Sequence, residues 1–358
     1  MPSPRAETSP RRRRLFLLAA LVVGLTLLAL PVLLADGREL LRTVAGVRPV
    51  FLACAFALAL ASYAAMSRSY QGIAEAADCH LSFRDWLRVT FVSNTANYLV
   101  TSGGLSGFAV RMYLLSQQGM PSGRAVLISL VQTFLTNVTL FLFIPLGVAS
   151  LMLRHDLPRV ALVTAALALV GFAAMLAAAV LLLYDRRLRR RLLFAFANAG
   201  HRVLRWAVPR WTPGRVRFWR FQHNLNAGLE FLLTRKDRIL APVAWIVADW
   251  LLTIGILWVA FRAVGHPVAL GVVVVGFAVG ICLSLVSLVP GGLGIMESSM
   301  TAVFVSLNVP LEPTVVAVLI FRVAYFVLPL LLSLVFFHGL MLQAAHDAGA
   351  LASEPTEI

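Results

Sequence analysis

Four charged residues of this sequence lie inside otherwise apolar stretches: Arg111, Asp249, Glu297 and Arg322. Burying an ionisable side chain in hydrocarbon is expensive, so each of them indicates a functional site by default. Guanidinium groups suit phosphate oxygens, whereas a carboxylate suits a cationic amine or a proton. Since there are two bases and two acids, the alternative is that they neutralise one another as structural pairs. The sequence leaves both interpretations open.

Two glycine pairs interrupt apolar segments, one in each half of the chain. The first element reads Thr101-Ser102-Gly103-Gly104-Leu105-Ser106-Gly107, and the second reads Val289-Pro290-Gly291-Gly292-Leu293-Gly294. Paired interruptions of this kind indicate a midplane site in transporters built from inverted repeats. A helix that restarts after each break directs free N–H groups and its positive dipole end into the site, which suits a phosphate. Arg111 and Glu297 follow the two breaks.

A simpler role exists for some of these polar and small residues. Glycines can merely allow two helices to approach closely, which is what we expect of Gly276 and Gly280. Four amide side chains extend the polar lining of a site or make ordinary interhelical hydrogen bonds: Asn94, Asn97, Gln132 and Asn137. For each amide taken singly, the interhelical bond is the commoner case.

The composition excludes soluble proteins. Of 358 residues, 60% are hydrophobic and 13% are charged, with a mean hydropathy of +0.86. A soluble domain is nearer 45–50% apolar and about 25% charged, so this chain has too few polar residues to cover a surface in water. The net charge of +15 reflects the Lys and Arg that collect in cytoplasmic loops. Nucleic-acid binding is not expected.

Apolar stretches long enough to cross a bilayer, four of them uncharged and two with a single charged residue, predict an all-α polytopic membrane protein. Six full spans are predicted: Leu15–Leu34, Pro49–Met66, Ala125–Leu153, Val160–Tyr184, Ile239–Phe261 and Pro313–Gln343. The glycine-broken segments 89–117 and 267–309 are predicted as re-entrant helical hairpins, or as short crossings that would give about eight transmembrane helices. The matching breaks suggest an inverted repeat.

Counting Lys and Arg predicts the topology. If 89–117 enters and leaves on one side, 23 of these residues lie in the cytoplasm and 6 outside, as the positive-inside rule requires. This places the N-terminus in the cytoplasm, with 1–14 as a basic tail. The working topology also puts the C-terminal tail, 344–358, in the cytoplasm, but this tail holds no Lys or Arg that would set its side. The segment 186–238 holds 14 Lys and Arg residues with three tryptophans among them. It is predicted to lie on the anionic inner leaflet, or to act only as a topology signal.

The motifs resemble those of the integral-membrane region of lysylphosphatidylglycerol synthases, the flippase half of the multiple peptide resistance factor and its stand-alone relatives. The strongest match is Pro290-Gly291-Gly292-Leu293-Gly294-Ile295-x-Glu297. The first break followed by Arg111, and Arg322-x-x-Tyr325-x-x-x-Pro329, match two further elements in the same order. Thr101-Ser102 stands where the family has a proline before its first glycine pair.

The resemblance implies a single flippase-like domain over 1–358 that moves a lipid between the leaflets of a bacterial inner membrane. Residues 1–358 contain no soluble aminoacyl-transferase domain, so we expect no enzyme activity, no catalytic residue and no cofactor. The lipid is an anionic or aminoacylated phospholipid, a hopanoid or a polyprenyl lipid, and a separate lipid-modifying enzyme or a second copy of the chain is a candidate partner. The predicted substrate-binding residues are Gly103, Gly104, Arg111, Pro290, Gly291, Gly292, Gly294, Glu297, Arg322 and Tyr325.

Two other classes of function remain as alternatives. One is a non-transporting scaffold or regulator of envelope synthesis. The other is an intramembrane serine protease, because Gly104-Leu105-Ser106-Gly107 resembles the nucleophile motif of rhomboid proteases and His338 could act as its base. The sequence has neither a phosphate-binding loop for ATP nor an H-E-x-x-H metal motif, so we expect no metal and no direct use of ATP.

Overall fold

The long apolar stretches of the sequence form helices. The computed structural model describes residues 10–99, 105–152, 236–286 and 289–336, and within these ranges all regular structure is helical. The helices are α1 (Pro10–Leu34), α2 (Gly37–Ala45), α3 (Pro49–Ala76), α4 (Phe83–Leu99), α5 (Leu105–Gln117), α6 (Ser122–Met152), α7 (Lys236–Ala263), α8 (Leu270–Val286), α9 (Ile295–Ser306) and α10 (Leu311–Arg322). A π-helical turn, Val323–Val327, continues α10, and the helix then runs to Phe336.

Four helical stretches of the described chain are long and apolar enough to cross a membrane. They are Pro49–Ala76, Ser122–Leu140, Arg238–Ala263 and Leu311–Phe336, while Val22–Leu34, Leu270–Ser284 and Ile295–Ser306 are shorter apolar helices. The all-α membrane class is therefore confirmed. The number of full spans, the re-entrant hairpins and the inverted repeat stay predictions. The predicted span Val160–Tyr184, nearly all of 186–238, the C-terminal tail and His338 lie outside the described residues, as do Gly103 and Gly104.

The chain forms two compact units. Unit 1 consists of residues 1–61, 90–110 and 252–358, and unit 2 of residues 62–89 and 111–251. Each unit has a buried core of its own, and each holds two of the four membrane charges: Glu297 and Arg322 in unit 1, and Arg111 and Asp249 in unit 2.

Aromatic rings and small residues build the core of unit 1. The rings of Phe261 and Phe304 lie 4.9 Å apart between centroids in an edge-to-face arrangement. Gly276 and Gly280 of α8 face Phe304 and Met300 of α9, and a Cβ on either glycine would come within 3.0 Å of the facing side chain. Packing is thus the role that the structure gives to Gly276 and Gly280.

Candidate functional site

The described part of the second glycine break, residues 289–294, lies outside the α-helices and leads into α9. Pro290–Gly292 forms one 3₁₀ turn, and α9 begins at Ile295. Three glycines here have positive φ: 58° at Gly291, 62° at Gly292 and 78° at Gly294. A residue with a Cβ is strained in this left-handed region by about 1–2 kcal/mol. The backbone can therefore turn here because glycine adopts positive φ without this strain.

Space as well as conformation requires glycine at Gly294. A Cβ there would lie less than 3.0 Å from the carbonyl oxygen of Gly24 in α1. Next to this contact, the Ser298 hydroxyl donates a hydrogen bond to the Leu27 carbonyl oxygen. The start of α9 is thus held against the backbone of α1. Gly24, a lone glycine in a leucine-rich helix, was not predicted as part of the site.

Glu297 caps the helix that restarts after the break. It is the third residue of α9, only 3% exposed, and its Oε2 accepts the N–H of Gly294 at 2.7 Å. A carboxylate in the first turn of a helix satisfies a free N–H group and interacts favourably with the positive end of the dipole. Glu297 therefore occupies, in this conformation, the helix end that the sequence analysis predicts as an anion site, and binding of an anion there stays a prediction.

Arg322 of α10 joins the break to the last membrane helix. Its Nε lies 2.7 Å from Glu297 Oε1, and its Nη2 donates to the carbonyl oxygen of Gly291 at 2.7 Å. Its Nη1 lies 3.5 Å from Met296 Sδ, and the guanidinium carbon stands 3.5 Å from the centre of the Phe326 ring. Arg322 thereby donates to the Gly291 carbonyl oxygen, which has no partner within the described helices, and it neutralises the buried carboxylate of Glu297. For Glu297 and Arg322, the structure shows the ion pair that the sequence analysis left open.

Tyr325 lies in the π-helical turn that follows Arg322. Its ring stacks on Phe321 with centroids 5.5 Å apart, and Phe326 meets it edge to face at 5.6 Å. The π turn gives α10 an irregular stretch directly after its charged residue, and such turns are frequent at functional sites. The predicted residues Gly291, Gly292, Gly294, Glu297 and Arg322 meet at one place, with Tyr325 on the adjoining turn.

Unit 2 contains a second buried charge cluster. Arg111 of α5 is 4% exposed, and its guanidinium carbon lies 4.3 Å from the centre of the Tyr70 ring in α3. Asp249 of α7 is 5% exposed and accepts a hydrogen bond from the Ser62 hydroxyl at 2.5 Å. α3 thus supplies a buried partner to each charge, Tyr70 to Arg111 and Ser62 to Asp249. Neither partner was predicted.

The chain matches the sequence profile of the family described as Lysylphosphatidylglycerol synthase TM region over residues 17–333. It belongs to this family. A curated relative, a UPF0104 membrane protein of Methanothermobacter thermautotrophicus, is 24% identical over 334 residues, which cover 90% of this chain and 92% of the relative. The resemblance drawn from the glycine breaks is therefore confirmed. The stretch matched by the lysylphosphatidylglycerol synthase TM-region family includes the second glycine break, the Glu297–Arg322 ion pair, Arg111 and Asp249.

At the first glycine break of this family member, the structure describes the residues on either side. The described part of α4 reaches Leu99, and α5 begins at Leu105. The Gly107 N–H donates to Asn97 Oδ1 at 2.7 Å, and the Ser106 hydroxyl donates to the Ala96 carbonyl oxygen at 2.9 Å. Asn97 thus caps the restarting helix, and Ser106 binds backbone, which does not favour its use as a nucleophile.

Of the other amide side chains, Gln132 follows the prediction of an interhelical hydrogen bond, whereas Asn137 does not. Gln132 of α6 accepts a hydrogen bond from the Ser69 hydroxyl of α3 at 2.7 Å, and both side chains are buried. This is an interhelical hydrogen bond of the kind expected in membrane helices. Asn137 donates to the Thr133 carbonyl oxygen within its own helix. Among the described residues, no three His, Cys, Asp or Glu side chains are grouped so as to hold a metal ion.

We expect Ser62→Ala to destabilise unit 2, because the substitution removes a donor from the buried carboxylate of Asp249. A hydrogen bond to a charged group contributes about 1.5–3 kcal/mol, so the unfolding midpoint in mixed micelles should fall clearly. Ser116→Ala is the matched control, since Ser116 is exposed and donates only to the Tyr113 carbonyl oxygen of its own helix. Equal midpoints for the two variants would contradict a role for Ser62 in holding Asp249.

Proposed function

We propose that this protein moves a phospholipid, or another lipid with a polar head group, between the leaflets of a bacterial inner membrane, with its N-terminus in the cytoplasm. The observation that carries the proposal is the ion pair of Glu297 and Arg322 on the unwound backbone of Gly291. Backbone that leaves a helix inside a bilayer is tolerated only where protein satisfies it or where it lines a wet cavity. Charged side chains in such a place are rare and usually mark a substrate or ion pathway.

The chemistry of the pair suits a lipid head group once the two side chains separate. Arg322 and the N–H of Gly294 are donors that a phosphate oxygen can use in place of the Glu297 carboxylate. The freed carboxylate then binds a head-group amine or carries a proton. The acyl chains remain in the bilayer throughout. Within unit 2, Arg111 is a further candidate cation for a head-group phosphate, and within unit 1 the helix start after the first break is a further candidate donor.

A lipid-flipping assay in proteoliposomes tests this proposal. The wild-type protein should move fluorescent lipids at rates that depend on the head group, in a panel that includes neutral, anionic and aminoacylated phospholipids. Glu297→Gln should reduce that rate about tenfold or more, because it removes the charge that exchanges with the head group. Glu75→Gln is the matched control, since Glu75 is an exposed carboxylate at the end of α3. Each variant is first shown to be folded by gel filtration and by its unfolding midpoint.

The competing function is a non-transporting scaffold or regulator. It is favoured by the completeness of the contacts around Arg322, which has partners for its Nε, Nη1 and Nη2 atoms. The same assay separates the two functions. Flipping by the wild type that Glu297→Gln loses supports the transporter, whereas folded wild-type protein that moves none of the lipids supports the scaffold. Head-group-dependent flipping that Glu297→Gln retains would overturn the role given to the pair.

A further inference from the structure

The short helix α2 connects the end of α1 to the start of α3 and has two chemically different sides. One side carries the large apolar residues Leu40, Leu41 and Val44, and the other carries Arg38, Glu39 and Arg42. Asp36 caps its start by accepting the Arg38 N–H at 2.8 Å, and the Gly46 N–H closes its end on the Arg42 carbonyl oxygen at 2.9 Å. α2 is therefore a well-formed amphipathic helix with defined ends.

The apolar side of α2 is open at Leu41 and Val44, whereas Leu40 is half-buried. Leu41 is 71% exposed and Val44 is 53% exposed, and the helix has no fully buried residue. The neighbouring ends of the adjoining helices also expose large apolar side chains, with Leu33 at 78% and Val50 at 71%. The open apolar surface thus continues through the end of α1, along α2 and into the start of α3.

The place of α2 in the chain identifies what covers this surface. Only Ala35 and Asp36 separate it from α1, and three residues separate it from α3, which is a candidate membrane span. The backbone N–H of Asp36 also donates to Glu312 Oε1, at 3.2 Å, in the first turn of the helix that carries Arg322. α2 is therefore held at the point where membrane helices end, which is the depth of the lipid head groups.

The charges on α2 suit that position. Arg38 and Arg42 lie one turn apart, next to the apolar side, so their stems can lie along the acyl boundary while the guanidinium groups reach lipid phosphates. Amphipathic helices with this arrangement lie in the plane of the interface with the apolar side in the acyl region. We propose that α2 is a lipid-binding interfacial helix, with Leu41 and Val44 among the acyl chains and Arg38 and Arg42 on the phosphates of the same leaflet. The inference does not depend on lipid transport.

Spin-label accessibility in vesicles tests this placement. The three native cysteines, Cys54, Cys79 and Cys282, are replaced by alanine, and single cysteines are then introduced as Leu41→Cys, Val44→Cys and Glu39→Cys. The ratio of accessibility to oxygen over that to a water-soluble nickel chelate should be about threefold or more higher at 41 and 44 than at 39, because oxygen concentrates among acyl chains. Equal ratios at the three positions would overturn the proposal, as would a disulfide between two copies at position 41.

A second measurement tests the arginines. In nanodiscs, the wild-type protein should unfold at a higher temperature in anionic phosphatidylglycerol than in zwitterionic phosphatidylcholine. Arg38→Gln with Arg42→Gln should remove at least half of that difference, because surface arginines attract anionic lipid. Arg84→Gln, at an exposed arginine of α4, measures the effect of losing a single exposed arginine elsewhere on the protein. If the double variant keeps the whole difference, the arginines do not contact lipid phosphates.

Discussion

Gly294→Ala should be among the most destabilising single-methyl additions in the described part of this protein. The alanine would have to adopt a φ of 78° and would place its Cβ less than 3.0 Å from the Gly24 carbonyl oxygen. The left-handed conformation costs about 1–2 kcal/mol, and forcing a methyl group into a filled space typically costs about 1–3 kcal/mol more. We therefore expect a loss of about 2–5 kcal/mol in an unfolding titration in mixed micelles.

Gly265→Ala separates the two causes. Gly265 has nearly the same φ, 75°, but nothing lies within 4 Å of a Cβ built there. Its alanine variant should therefore show only the backbone strain, which is about 1–2 kcal/mol. A Gly294→Ala variant no less stable than Gly265→Ala would show that the break does not pack against α1.

Gly24→Ala tests the same contact between α1 and the second glycine break, with the change made in α1. Alanine is normally better than glycine inside a helix, by about 1 kcal/mol. Here the added Cβ would come within 3.0 Å of both a Val289 methyl carbon and the Leu293 carbonyl oxygen. We expect the cost of these close contacts to exceed the gain in helix propensity, so that the variant is less stable than the wild type. A stabilised Gly24→Ala protein would contradict the close approach of α1 to the break.

The sequence predicts the bounds of several long helices and the place of the second break well, for a simple reason. Bilayer thickness sets the length of apolar stretches, so α6 and α7 begin and end within three residues of their predicted bounds. By contrast, α3 begins at the predicted Pro49 but runs ten residues past the predicted Met66. Glycine pairs are conspicuous in such stretches because every other residue there favours a continuous helix. The second break accordingly interrupts the helices at the predicted place, with positive φ at Gly291, Gly292 and Gly294. The first glycine pair lies outside the described residues, and its break stays a prediction.

The partners of these residues could not be predicted in the same way. With two buried bases and two buried acids, the local pattern does not say which of them meet, because the answer depends on how distant helices pack. Tyr70 and Gly24 gave no signal, since an aromatic ring or a small residue in an apolar helix is as common against lipid as against protein. The π turn after Arg322 also has no breaker of its own, because Pro329 lies beyond it.

Replacing one residue of the Glu297–Arg322 pair by glutamine should cause the second large loss of folding stability. Removing one partner of a buried ion pair leaves an uncompensated charge and typically costs about 3–5 kcal/mol. We expect Arg322→Gln to lose more stability than Glu297→Gln. The first leaves the Gly291 carbonyl oxygen without its donor, whereas the second keeps a side-chain oxygen that can accept the Gly294 N–H. Arg322→Lys should not restore the wild type, since one ammonium group cannot reproduce the planar fork that reaches Glu297 and Gly291 together.

The double variant decides whether the two side chains act as a pair. With both charges removed, Arg322→Gln/Glu297→Gln should lose less stability than the sum of the two singles, by an interaction energy of about 1–3 kcal/mol. The matched cycle uses Asp85 and Arg88, whose charged atoms lie 3.8 Å apart in α4 with 32% and 38% of the side chains exposed. That cycle should give an interaction energy of no more than about 0.5 kcal/mol, because solvent screens the pair. Additive effects at Glu297 and Arg322 would mean that each is stabilised by other groups, and the break would then lack the neutral pair on which the proposed exchange with a head group depends.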